Sequence, residues 1–391
     1  MAPPRIDVRQ RRARLGTRHL LAPSAHVDRV EEVADALVAV HATDPATVFL
    51  SIAARLRTPG HEPVERALYD DVTLHRLLAM RRTMFVVPAD LAPLVHGSTG
   101  VTISARERAK LLTYLSEGVG WDARRLAEVQ QAVLAALRAR GEATAAQLGQ
   151  DVPALREQVV VAAGKPYETK QNVSSRIIRT LACDGHIRRA RPRGSWISSQ
   201  FRWTTATPWQ EVPLADAQAE LARRWLASHG PATVADLRWW TGWSLTATRK
   251  ALAGMEEVVI DEGTGYVVPG DAGPVAEPEP WVALLPGLDS TTMGWRDRDW
   301  YLSPAHVPSL FDTTGNAGPT VWCDGRVVGA WAQRADGEIV WSLLEDVGTE
   351  AEALIAREAA TVAGWLGAVR VRPRFRTPLE RELSRHRGVG R

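Results

Sequence analysis

One succession of segments, three helical runs followed by an extended run, recurs three times in this chain and constrains its fold more than any other feature. In the middle copy, apolar positions at helical spacing predict a helix over 125–140, a short helix opening at Thr144, and a third over 174–184. A basic hairpin over 187–203 follows, with Gly194 at its turn. Three helices and then a hairpin are the order of a winged helix, so the pattern predicts this fold although the copies share no close residue identity.

The two flanking copies follow the same order. The first copy is predicted from helical and extended runs at 28–41, 46–57, 64–79 and 81–88. The third copy is predicted from runs at 215–229, 233–241, 245–255 and 258–268.

The rest of the chain differs in character. A linker rich in proline and glycine covers 269–280. Beyond it lie predicted strands at 281–285, 320–323, 327–333 and 339–344, a helix at 350–366, and a basic strand with Arg370, Arg372, Arg374 and Arg376. We therefore expect an α+β protein with tandem winged-helix units at 1–120, 121–207 and 208–270, followed by a small, β-barrel-like C-terminal domain at 281–391.

Composition places the chain among ordinary globular proteins. Of its 391 residues, 45% are hydrophobic and 24% are charged, which excludes a disordered or fibrous chain. Cys183 and Cys323 are too few and too far apart for a disulfide framework or a zinc site, so we expect no metal, no cofactor and a reducing, cytoplasmic location. The basic segment 1–18 lacks the apolar stretch of a signal peptide, and we expect no membrane span.

Arginine dominates the basic residues. Four of the 48 basic residues are lysines, so 44 are arginines. A GC-rich coding bias explains this ratio but not the clustering of arginines in the second copy. Arginine makes forked contacts with phosphates, so we list as candidate DNA contacts the arginines of the hairpin and of the preceding helix: Arg176, Arg179, Arg188, Arg189, Arg191 and Arg193. A solvated charged turn is the alternative; contact with double-stranded DNA should instead weaken steeply with salt.

Several stretches together carry a family resemblance. They are 37–45, 80–88, 184–187, 284–289, 294–298 and 315–322. Over nearly its whole length the chain resembles the AlkZ/YcaQ family of winged-helix bacterial DNA glycosylases. The resemblance implies three winged helices and a C-terminal β-barrel around a DNA channel, and excision of alkylated purines, including those in interstrand crosslinks. It also implies a Gln-x-Gln or Gln-x-Asp motif that holds the attacking water and supports positive charge on the sugar.

His41 and Thr43 stand at the two motif positions of this chain, where the family has Gln and Gln or Asp. A neutral imidazole can accept a proton from water near pH 7, and a hydroxyl can both donate and accept a hydrogen bond. Asp44, one residue later, would orient His41 or lie near the cationic sugar. Alternatives stay open: His41 bonded to backbone at a helix end, Thr43 satisfying a loop carbonyl, and Asp44 as an N-cap before Pro45.

The C-terminal domain contributes further candidates. Arg296 and Arg298 lie beside tryptophans, and arginine planes can stack on unpaired or flipped bases. Asn316 lies among glycines and is a candidate base contact. A tryptophan core with Arg–Asp pairs at its rim, and a left-handed turn at Asn316, are the structural alternatives.

The leading functional hypothesis is a monofunctional DNA glycosylase for bulky or cationic N7- and N3-alkylpurines, with crosslinks as further substrates. It would act in DNA repair or in self-resistance to alkylating natural products. No lysine precedes Lys110, which disfavours a Schiff-base mechanism. The alternatives are a non-catalytic winged-helix regulator and a protein that recognises lesions without excising them. We expect a monomer on damaged double-stranded DNA, with no obligate protein partner.

Overall fold

The first part of the chain carries a small sheet among short helices. The structure is a computed structural model that describes residues 2–161, 164–165 and 168–385. The helices of this part are α1 Val8–Arg18, α2 Val30–Ala36, α3 Pro45–Ala53, α4 Glu62–Glu65, α5 Ala92–Val95 and α6 Val101–Val119. The strands are β1 Val40–His41, β2 Leu74–Leu78 and β3 Met84–Pro88. They form an antiparallel sheet in the order β1-β3-β2.

The second and third parts repeat a helix-and-hairpin order. The second part contains α7 Ala123–Arg140, β4 Glu142–Ala143, α8 Ala145–Asp151, β5 Gln158–Val161, β6 Thr169–Asn172, α9 Ser174–Cys183, β7 Ile187–Ala190 and β8 Arg202–Thr205. The third part contains α10 Leu214–His229, α11 Val234–Thr241, α12 Leu245–Ala251, β9 Glu256–Ile260 and β10 Gly263–Val267. Here the elements predicted from the sequence are present, because the helices have apolar stripes and several begin at a capping residue such as Thr144 or Thr233.

The C-terminal part is a meander sheet covered by helices. Its elements are β11 Val282–Leu285, α13 Val307–Leu310, β12 Thr320–Cys323, β13 Arg326–Gln333, β14 Ile339–Leu343, α14 Thr349–Leu366 and α15 Pro378–Arg385. The strand order is β11-β12-β13-β14, and within the described residues no pairing joins β11 to β14, so the expected barrel is instead an open sheet. Closure is unnecessary because α14 packs against β11 and β14, and α15 against β13 and β14, which buries the apolar strand residues.

Two predicted helices are wrong in part, and both errors lie beside the candidate motif. The helix predicted over 28–41 ends at Ala36, and Val38 takes a left-handed φ of 62° that reverses the chain. His41 therefore lies on a strand, paired with Phe85. The helix predicted over 64–79 gives way to β2. Apolar runs this short fit either element, and pairing with β3 decides between them.

Other differences concern basic segments. The predicted basic strand over 370–376 has no regular structure. Helix α1 was not predicted, because arginines occupy its inner face. Arg11 and Arg14 are buried there and ion-pair with Glu262 at 2.6 Å and Asp271 at 3.1 Å. Carboxylates from another part of the chain thus replace the apolar stripe that a sequence pattern would show.

One hydrophobic cluster links the first, third and C-terminal parts. Phe85 of the first part, Trp225 of the third and Trp322 of the C-terminal part belong to one buried cluster. The cluster of the second part includes Leu137 and also takes in Leu111 of α6. The candidate motif therefore sits in a shared core, and the second part also contributes Trp196 to the cluster that contains Phe49 of α3.

Candidate active site

His41 is held at the edge of the three-stranded sheet. Its backbone N–H donates a hydrogen bond to the Ser290 hydroxyl at 3.2 Å, and that hydroxyl donates to the Ala39 carbonyl at 2.8 Å. The imidazole lies against Phe85, with ring centroids 5.0 Å apart. The side chain is buried, and Nδ1 has no hydrogen-bond partner among the described residues. Its position is thus determined by a loop almost 250 residues away in the sequence.

The His41 imidazole is neutral at physiological pH. Burial lowers its pKa to about 3, the Arg81 charge acts in the same direction, and the Asp289 carboxylate acts against both. A neutral imidazole has one nitrogen free to accept a hydrogen bond. The side chain is therefore a hydrogen-bond acceptor and a weak base at neutral pH.

Thr43 and Asp44 differ in how their polar atoms are used. The Thr43 hydroxyl is buried and has no partner among the described residues. Both Asp44 oxygens are occupied: Oδ1 accepts from the Ala46 N–H at 3.2 Å, and Oδ2 accepts from the Arg374 N–H at 2.9 Å. Asp44 is the N-cap of α3, as the alternative from the sequence predicted. His41 on β1 and Thr43 in the bend after it each retain a buried polar atom without a hydrogen-bond partner among the described residues.

A buried ion pair fixes the loop that carries Ser290. Arg55 and Asp289 are both fully buried and joined at 2.9 Å and 3.0 Å through two guanidinium nitrogens. The Ser51 hydroxyl donates to the same carboxylate at 2.6 Å, and Arg55 also donates to the His19 carbonyl. Every charged atom of the pair is thereby hydrogen-bonded, which is the condition for a buried pair to be tolerated.

Arg81, in the turn between β2 and β3, also lies near the site. Arg81 takes a left-handed φ of 53°, and its Cζ lies 4.0 Å from the Trp239 ring centroid. Arg298, a predicted candidate, lies 5.0 Å from the same ring. Burial, with repulsion from Arg298, lowers the pKa of Arg81 to about 10, so the Arg81 guanidinium stays charged at pH 7. Together, Arg81 and Arg298 place two guanidinium groups beside the Trp239 ring.

The other residues predicted to contact DNA do not gather at this site. Arg191 is ion-paired with Glu65 at 2.7 Å and Asp70 at 2.8 Å, so carboxylates already neutralise it. Asn316 donates to Asp312 and Thr314 within its own turn. The remaining candidates are either exposed, as are Arg179, Arg193 and Arg296, or partly buried, as are Arg176, Arg188 and Arg189.

Sequence reasoning missed four residues of this site: Arg55, Arg81, Asp289 and Ser290. Two of them were within reach, because Arg81 and Asp289 lie in the stretches 80–88 and 284–289 that carry the family resemblance. Arg55 had a weaker signal, a single arginine directly after the apolar helix α3. Ser290 had none, since its role depends on a contact with a distant strand.

Comparison with known proteins assigns the family. A family described as DNA glycosylase AlkZ-like matches residues 34–365. The chain belongs to the AlkZ-like DNA glycosylase family. Among solved structures, Streptomyces sahachiroi DNA glycosylase AlkZ is similar, with a TM-score of 0.71 and 22% identity over 94% of this chain and 98% of that one. No curated protein sequence matches. The resemblance seen in the sequence motifs is thereby confirmed, and this AlkZ-like protein is a DNA N-glycosylase.

Two observations limit what else the AlkZ-like chain contains. No helix in its described part combines the length and apolarity needed to cross a membrane. Among the same residues, no group of three or more His, Cys, Asp or Glu side chains has the arrangement of a metal site.

Acid should destabilise this AlkZ-like glycosylase before most carboxylates titrate. Burial lowers the pKa of His41 and of His229 to about 3, and lowers that of His19 well below 6.5. These groups bind fewer protons folded than unfolded, so their contribution is intact above pH 6.5 and is lost as pH falls towards 3. We expect a loss of about 2 kcal/mol per fully buried histidine by pH 5.

Urea unfolding at pH 7.5, 6 and 5 measures this dependence. His41→Phe should flatten it, because the variant removes one of the titrating groups. A free energy of unfolding that is constant from pH 7.5 to 5 would contradict the expectation.

Proposed function

We propose that this AlkZ-like protein is a monofunctional glycosylase that excises cationic or bulky N7- and N3-alkylpurines from duplex DNA. It would serve DNA repair or self-resistance to alkylating natural products. The observation that carries the proposal is the pair of buried, unpartnered polar atoms, His41 Nδ1 on β1 and Thr43 Oγ1 in the bend that follows it. An unpaired buried polar atom costs about 1–3 kcal/mol, which a bound water or substrate atom would recover.

Excision of a cationic alkylpurine needs only a weak base. An N7- or N3-alkylated purine carries a positive charge, so cleavage of the bond from C1′ to the purine returns the electron pair to the base, which leaves neutral. The sugar becomes an oxocarbenium ion, and a water oxygen forms the new bond at C1′. His41 accepts the proton that this water loses, while the Thr43 hydroxyl orients the water. Asp44 supports α3 and the Arg374 backbone rather than the water.

We further propose that the repeated parts act as winged helices on DNA, in units 1–120, 121–207 and 208–270, with 281–391 as the C-terminal domain. The order α7, β4, α8, α9, β7, β8, with β8 between β4 and β7, supports this for the second unit. One chain then carries several DNA-binding surfaces, so a monomer suffices.

Release of free base tests the function. Wild-type protein is incubated with duplexes that carry N7-methylguanine, N3-methyladenine, a bulky N7 adduct or an N7 crosslink, and the released bases are identified by mass spectrometry. We expect release from at least one cationic lesion and none from undamaged duplex. Binding to lesion DNA without release would favour the lesion-recognition alternative. Tight binding to one undamaged sequence, again without release, would favour a regulator.

The product should be an abasic site with an intact backbone. The lysines Lys110, Lys165, Lys170 and Lys250 all follow the first unit's sheet in sequence, and the proposed nucleophile is water. We expect strand breaks only after alkali treatment, and no covalent adduct in borohydride. A borohydride-trapped complex would contradict the water mechanism while leaving the glycosylase activity in place.

A further inference from the structure

A cavity lined by arginines lies where the first unit meets the second. It has a volume of about 280 Å³ and lies between strand β2 on one side and strand β7 with helix α9 on the other. Arg76 of β2 and Arg188 and Arg189 of β7 line it, and we call these three residues the arginine cluster. The two structural parts thus bring together cations that are more than 100 residues apart in sequence.

The cluster has no counter-charge of its own. Arg76 Nη2, Arg188 Nη1 and Arg189 Nε are each buried without a hydrogen-bond partner among the described residues. Within those residues no carboxylate oxygen lies within 4.0 Å of any of the three. Glu107, which also lines the cavity, is already bound by Arg82.

The charged neighbours that could help are occupied or repulsive, although the Arg189 guanidinium lies over the Phe201 ring, with its Cζ 3.8 Å from the ring centroid. Glu142 attracts Arg188 but is ion-paired with Arg202 at 2.9 Å. Burial lowers the pKa of Arg189 to about 9, and repulsion from Arg76 and Arg374 adds to the effect. Arg189 remains charged at pH 7, so the protein holds several partly dehydrated cations close together. Such an arrangement is unfavourable unless an anion completes it.

The anion would lie close to the candidate motif. Arg76 pairs across the sheet with Val86, which pairs with Val40, the residue before His41. Two strand spacings place these backbones about 10 Å apart. On the other side, Arg374 Nη1 lies 3.5 Å from the Thr43 carbonyl oxygen. The sheet thus fixes the distance between the backbones of Arg76 and His41, whose side chains point to opposite faces of it.

We propose that Arg76, Arg188 and Arg189 form a binding site for one phosphodiester group of the lesion strand, one or two linkages from the excised nucleotide. The inference rests on the proposed function only in that the ligand is DNA. Forked guanidinium groups suit phosphate oxygens, and a single bound phosphate would fix the position of the target nucleotide relative to His41. The cluster is therefore a positioning site, distinct from the groups proposed to touch the reacting atoms.

Two arginine-to-glutamine variants with the same change in charge test the site. Arg76→Gln removes a cluster member; Arg140→Gln, on α7 of the second unit, removes a guanidinium already held by Asp151 at 2.8 Å. We expect Arg76→Gln to weaken binding to undamaged duplex about tenfold and to lower the salt slope by about one. We expect Arg140→Gln to change binding less than twofold.

The melting temperatures of the two variants should differ in the direction of their change. Without DNA, Arg76→Gln should raise Tm or leave it unchanged, because it relieves repulsion, whereas Arg140→Gln should lower it. Inorganic phosphate should raise the Tm of wild type more than that of Arg76→Gln. If Arg76→Gln does not fold, Arg188→Gln replaces it. A lower Tm together with unchanged DNA affinity in the cluster variant would overturn the proposal.

A scan with single methylphosphonate linkages locates the phosphate. Neutralising one or two linkages beside the lesion should weaken wild-type binding and have no further effect on Arg76→Gln. A phosphate-dependent Tm with a flat scan would mean a site for free phosphate, which overturns the DNA assignment. Affinity and Tm are measured without turnover, so they test the phosphate site independently of base release. Either proposal can therefore be contradicted while the other holds.

Discussion

Replacing His41 with alanine is expected to lower the single-turnover rate of base release at least about 100-fold, the usual contribution of a positioned general base. Affinity for undamaged duplex should stay within about twofold, because the side chain is buried and makes no contact with the exposed arginines. The measurement is base release from an N7-methylguanine duplex with enzyme in excess, which separates chemistry from product release.

His41→Gln is the matched variant. Glutamine presents an amide oxygen as acceptor, as the family motif does, so this variant should retain more activity than the alanine variant. It removes the imidazole's proton-accepting step, so its rate should stay below that of wild type. A His41→Ala rate within threefold of wild type, in a protein that folds and binds, would place the active site elsewhere.

Replacing Asp289 with alanine is expected to lower the free energy of unfolding by about 3–5 kcal/mol, because it leaves the Arg55 charge buried and unpaired. Both partners are fully buried, and the carboxylate also accepts from Ser51 and from the Thr291 N–H. Activity should fall as well, since the neighbouring Ser290 anchors the strand that carries His41. Urea unfolding at pH 7.5 measures the first effect, and base release at a permissive temperature measures the second.

Asp28→Ala is the control. Asp28 also pairs with an arginine, Arg57, at 2.6 Å, but both side chains are more than half exposed. Such a pair contributes about 0–1 kcal/mol. The double variant Arg55→Met/Asp289→Leu should be more stable than Asp289→Ala, because it removes both charges. Equal losses in Asp28→Ala and Asp289→Ala would mean that the buried pair has no special role.

The helices with a complete local signal were predictable. The apolar stripe of α7, the Thr144 cap of α8 and the Asp44-Pro45 start of α3 were visible in the sequence because each depends on residues within a few positions. The short runs around His41 were not, because Val40 and His41 fit a helix stripe as well as a strand. Their pairing with β3 depends on a chain reversal at Val38.

Some features of the candidate site were likewise visible in the sequence, and others depend on the fold. Family motifs drew attention to His41, Thr43 and Asp44, and the N-cap role of Asp44 followed from the proline after it. Those motifs could not show the charge environment of each arginine. Arg191 is neutralised by carboxylates, whereas Arg189 has no carboxylate partner and its Nε is buried without a hydrogen bond. Both belong to the same basic hairpin, and only distant residues distinguish them.

The sequence by itself determined the family, the α+β class, most helices and hairpins, and the three residues of the divergent motif, because these depend on local patterns. Tertiary structure alone decided that His41 is buried and neutral, that Ser290 and the Arg55–Asp289 pair hold its strand, and that the C-terminal sheet stays open. The physical reason is that burial and charge pairing are set by neighbours in space. For His41 and Arg55, those neighbours lie more than 230 residues away along the chain.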